Sequence, residues 1–82
     1  MSRRLTIDAP LDCVIRAAGG LDASWAERLG GLEVHPGGDD GAGPVTELRG
    51  ALPDQAALLG VLVTLYDLGL PLLSVTCRAA QD

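Results

Sequence analysis

The stretch Asp54 to Arg78, DQAALLGVLVTLYDLGLPLLSVTCR, decides the fold. It reads as one helix, a sharp stop at Leu68-Gly69-Leu70-Pro71, and one buried strand. At 100° per residue, Leu58, Val61, Leu62, Leu65 and Leu68 share a face wide enough to cover a sheet. Leu59, Val63 and Tyr66 form a second apolar stripe beside it. Only Ala56, Gly60, Thr64 and Asp67 are left for water. A helix that is apolar nearly all round is buried on more than one side. A small domain buries only about 60% of its unfolded surface and cannot easily surround a helix with its own chain. The second stripe therefore predicts a partner surface, in the first instance a homodimer or a protein partner. The alternative is that Leu59 and Val63 lie under the loop between the two middle strands.

Outward from this stretch, the same alternation and punctuation order the rest of the chain. Asp12 to Ala17 reads as a strand with Cys13, Ile15 and Ala17 on one side. Gly19-Gly20 ends it. Asp22 to Leu29 reads as a short helix, with Asp22 as N-cap or Ser24 and Glu27 as a rival capping pair. Leu21, Trp25 and Leu29 stack at i, i+4, i+8, and Gly30-Gly31 stops the helix. A second strand is predicted over Leu32–His35 and a third over Val45–Ala51. Residues 36–44, rich in Gly, Pro and Asp, are expected to form a flexible loop. Pro53 and Asp54 suit the first turn of the long helix. Arg3–Asp8 alternates and is compatible with an extra N-terminal edge strand within residues 1–10.

The order is β-α-β-β-α-β over a single domain, residues 1–82. This is the element order of an α+β, ferredoxin-like sandwich: a four-stranded, antiparallel-rich sheet with two helices on one face. Its first and last strands should be antiparallel neighbours, with the second strand at an edge. Leu73, Val75 and Cys77 should point inward with Cys13, Ile15, Leu32, Val34 and Leu48. Arg16, Glu33, His35, Glu47, Arg49, Ser74, Thr76 and Arg78 should point outward onto an open face.

Composition limits the function. There is no Phe, one Trp and one Tyr, so the core is built from Leu, Val and Ala, with Trp25 its largest piece. The formal net charge of -5 argues against nucleic acid and against an anionic membrane surface. No apolar run is long enough to span a bilayer, and a cytoplasmic location is the expectation. There Cys13 and Cys77, predicted to be neighbours on the inner face, would be reduced thiols packed as small core residues.

The chain resembles a family of small, stand-alone, uncharacterised bacterial proteins. The likeness lies in VIRAAGGLDASWAERLGGLEV and DQAALLGVLVTLYDLGLPLLSV, where an LDxxW helix and a DQAAL helix running into LGLPLLSV occur together, over about residues 13 to 78. The resemblance implies no catalytic residue. A looser likeness to ACT-type regulatory domains fails at Asp54–Leu59, which lacks the expected glycine and falls in the wrong half of the domain.

Chemistry is sparse. His35 with Glu33 two residues away on one strand face could form a base and its orienter, but no nucleophile accompanies them. Asp39-Asp40 offers two adjacent carboxylates, too few for a calcium site. Neither a catalytic residue, a metal site nor a cofactor is predicted. Arg16, Arg49 and Arg78 on three adjacent strands, with His35, are the candidate ligand-binding residues for a carboxylate or phosphate. Leu59, Val63 and Tyr66 are the candidate interface residues. The leading expectation is a non-catalytic, self-associating interaction or regulatory module. The alternative is a small ferredoxin-like dimeric enzyme or ligand-binding accessory protein of specialised metabolism.

Overall fold

A computed structural model describes residues 6–80. Four strands, β1 (Leu11–Ala18), β2 (Glu33–Asp39), β3 (Pro44–Leu52) and β4 (Leu72–Ala79), form one antiparallel sheet in the order β2-β3-β1-β4. A 3-10 helix, Ala23–Leu29, follows β1, and the α-helix α1, Gln55–Asp67, joins β3 to β4. The first and last strands are neighbours and β2 is an edge, as the element order predicts.

Alternation in β1 builds the core. Leu11, Cys13, Ile15 and Ala17 are buried and meet Leu48 and Leu52 of β3, Leu29 of the 3-10 helix, and Val61 and Leu65 of α1 in a single cluster. Both helices thus close the same face of the sheet. Gly50 interrupts β3 on this face, and Leu32 occupies the space a side chain would take there.

The caps explain where α1 begins and ends. The Asp54 carboxylate accepts from the Ala57 amide at 2.8 Å. At the other end Leu70 N–H donates to the Leu65 carbonyl at 3.0 Å and Gly69 N–H to Tyr66 at 2.9 Å, with Gly69 at φ 78. This is the Schellman closure, which needs a left-handed residue that glycine supplies without strain.

Five details depart from the sequence reading. First, β2 runs through Pro36 to Asp39, so the predicted loop over 36–44 narrows to 40–43. Proline is compatible with an edge strand, where no ladder donor is required of it, and the register slips between Pro36 and Asp39. Second, the first helix is 3-10, as suits a segment of two turns fixed by Asp22 and by Gly30 at φ 69. Leu29 is fully buried, and Leu21 and Trp25 pack against the same core half-buried, with the Arg28 guanidinium 5.3 Å from the Trp25 ring centroid. Third, Leu73 and Val75 have the predicted parity but remain exposed, as does Leu68. Fourth, of the N-terminal strand over Arg3–Asp8, residues 3–5 lie outside the described residues and 6–8 are not a strand. Fifth, Cys13 and Cys77 are cross-strand partners, Cα atoms 4.2 Å apart, joined as a disulfide where thiols are predicted.

One buried polar side chain holds the β1 exit. Thr46 Oγ1 donates to the Gly19 carbonyl at 2.7 Å and accepts from Leu21 N–H at 3.0 Å. Thr46→Val keeps the shape and orphans both backbone groups. We expect a loss of about 1–3 kcal/mol, read as a lower urea midpoint.

Candidate functional site

Two surfaces carry the sequence-predicted residues: the open face of the sheet and the flank of α1. On the open face the register sets three rows. His35, Glu47, Arg16 and Ser74 share one; Glu33, Arg49, Val14 and Thr76 the next; Ala51, Asp12 and Arg78 the last. The three arginines therefore fall in three different rows. Two of them are held by one carboxylate. Arg16 Nη1 is 2.8 Å from Glu47 Oε2, and Arg49 Nε is 2.8 Å from Glu47 Oε1. Arg16 Nη2 also donates to the Gly37 carbonyl at 3.0 Å, which ties β1 to the extended part of β2. These partly solvated pairs contribute little to stability, but they cancel much of the field that would attract an anion.

His35 sits on the β2 edge, with Nε2 3.1 Å from Glu33 Oε1, the same-face neighbour that alternation predicts. Asp39 and Asp40 are consumed by the hairpin tip, where their carboxylates accept from the Gly41 and Ala42 amides at 2.7 and 2.9 Å. Asp22 caps the 3-10 helix, accepting from the Ser24 hydroxyl and the Ser24 amide. Those hydrogen bonds hold its carboxyl below the usual range. Among the described residues no cluster of three or more His, Cys, Asp or Glu side chains could hold a metal.

A shallow pocket of about 400 Å³ opens on the sheet between β3, β1 and β4. Arg49 and Arg78 line it with Asp12, Val14 and Thr76. The two arginines are among the sequence-predicted ligand residues; Asp12 and Val14 are not, although the alternation of β1 puts both on this face. Arg16 and His35 are not part of it. The pocket offers two guanidiniums, one carboxylate and a hydroxyl, which suits a small polar ligand.

The flank of α1 is different. Leu59, Val63 and Tyr66 are 61%, 57% and 81% exposed, so the loop between the middle strands does not cover them. On β4, Leu73 and Val75 are 46% and 40% exposed on the face the helices otherwise close. Ile7 and Leu72 are exposed as well; what sets Leu59, Val63 and Tyr66 apart is that they share one flank of a helix. Among the described residues no helix is long and apolar enough to cross a membrane.

Residues 12–76 match the family model described as a domain of unknown function (DUF8691). No curated protein and no solved structure matches the chain.

Proposed function

We propose, from the premise that the chain belongs to the DUF8691 family of domains of unknown function, that it is a non-catalytic interaction module that works as a homodimer. Its four strands and two helices fit a ferredoxin-like βαββαβ sandwich, a reading supported by the order β2-β3-β1-β4. The exposed stripe of Leu59, Val63 and Tyr66 carries the proposal. Three large apolar side chains on one helix flank oppose solvation, and association removes that cost. Light scattering tests it through Leu59→Glu. The unmodified chain should have the mass of two chains at tens of micromolar, and the variant the mass of one. Equal masses for both would sink the role given to this stripe.

The pocket on the open face supports a second reading, a ligand-binding accessory protein, in which Arg49 and Arg78 receive an acidic small molecule beside Thr76. The neighbouring Asp12 carboxylate opposes that field, and Glu47 already occupies Arg49. The interaction module is therefore the better supported.

A further inference from the structure

The two edges of the sheet end differently. β2 carries Pro36, Gly37 and Gly38 between the charged Glu33 and Asp39, a composition that blunts an edge against further pairing. β4 reads LLSVTCRA, with no proline or glycine, no acidic group, and Arg78 as its one charge.

Pairing with β1 fixes where the backbone groups of β4 point. Ala80 N–H donates to the Pro10 carbonyl, and by alternation Arg78, Thr76 and Ser74 also bond toward β1. The rows between them, Cys13 with Cys77 and Ile15 with Val75, are non-hydrogen-bonded, in keeping with the close 4.2 Å approach of the cysteine Cα atoms. The N–H and C=O groups of Val75, Cys77 and Ala79 therefore point out of the sheet. Among the described residues no strand pairs with them.

Beside this edge lies the apolar flank. Val61 sits against Gly30, which turns the Ala57–Val61 side of α1 toward the 3-10 helix and β2. On the helical wheel the opposite side carries Leu62, Leu59 and Tyr66, so that flank is turned toward the β4 side of the sheet. On the same side β4 presents the exposed Leu73 and Val75. A row of unpaired backbone groups and an apolar shelf thus form one surface.

We infer that a second copy of this chain occupies that surface, its β4 antiparallel to the first about a dyad close to Thr76. The two sheets become one, and the two α1 flanks meet above the join. This rests on the self-associating reading and specifies its geometry. Antiparallel pairing of a strand with itself is isologous, so the apolar shelf meets an equal shelf. The dyad sets Arg78 across from Ser74 and not from its own copy. In a chain of net charge -5, neither β4 nor the residues of that flank bring an acidic group to the join. A stable interface needs about 800 Å² per partner, roughly 15% of the 5295 Å² surface, which a strand edge and a helix flank together can supply.

Hydrogen exchange across protein concentration, paired with sedimentation velocity, tests this geometry. The amides of Val75 and Cys77 should gain at least tenfold protection as the chain dimerises. Val75→Lys should abolish both that gain and the dimer while leaving the circular dichroism spectrum unchanged. Should this variant unfold, Cys77 protection in the unmodified chain decides alone. A dimer broken by Leu59→Glu whose Val75 and Cys77 amides stay unprotected overturns the edge pairing and leaves self-association standing. Protection independent of concentration assigns the edge to a segment of the same chain and also overturns it. A chain that remains monomeric overturns both.

Discussion

Reducing the Cys13–Cys77 disulfide is expected to cost about 4 kcal/mol of folding stability. The bond closes a loop of sequence separation 64. In the chain-entropy account, a closed loop of that length removes freedom from the unfolded ensemble worth roughly 4 kcal/mol at 25 °C. The native state should barely change, because the two residues are already cross-strand partners with Cys13 in the core. For a small domain of ordinary stability this is a large share of the total. Urea unfolding with and without a reductant measures it directly. A midpoint that does not move on reduction would show that the bond constrains nothing the sheet does not already constrain.

Ile15→Ala is expected to cost about 2–5 kcal/mol, enough to leave the reduced chain largely unfolded. Ile15 is fully buried on β1, between Leu48 of β3 and Val75 of β4, and belongs to the cluster that receives Val61 and Leu65. No aromatic side chain belongs to the fully buried cluster, so nothing large is at hand to fill the space. The urea midpoint of the oxidised variant should fall with little change in slope. A loss below about 1 kcal/mol would mean that the site collapses around the alanine.

Much of this fold is legible in the sequence. Strict alternation in Asp12–Ala17 and Leu73–Arg78 gives both faces of the two neighbouring strands, and matched parity brings Cys13 to Cys77. Pro53-Asp54 and Gly69 bound the long helix because each performs a specific task at a helix end. What is not legible depends on neighbours. Pro36-Gly37-Gly38 is read as loop because local propensity says so, yet pairing with β3 on both sides of it and the Arg16 bond to the Gly37 carbonyl hold it in the strand. Leu73 and Val75 are apolar and correctly phased, but parity cannot reveal that α1 leaves the last strand uncovered. The open-face pocket joins residues from three strands, and its outline depends on how Glu47 divides itself between Arg16 and Arg49.

The uncovered strand and the apolar helix flank lead to one central claim, that this chain works as a pair. Sedimentation equilibrium of the unmodified chain at several loading concentrations tests it most directly. A mass rising to that of two chains, and no further, by tens of micromolar is the predicted result. The mass of a single chain at every concentration would contradict it.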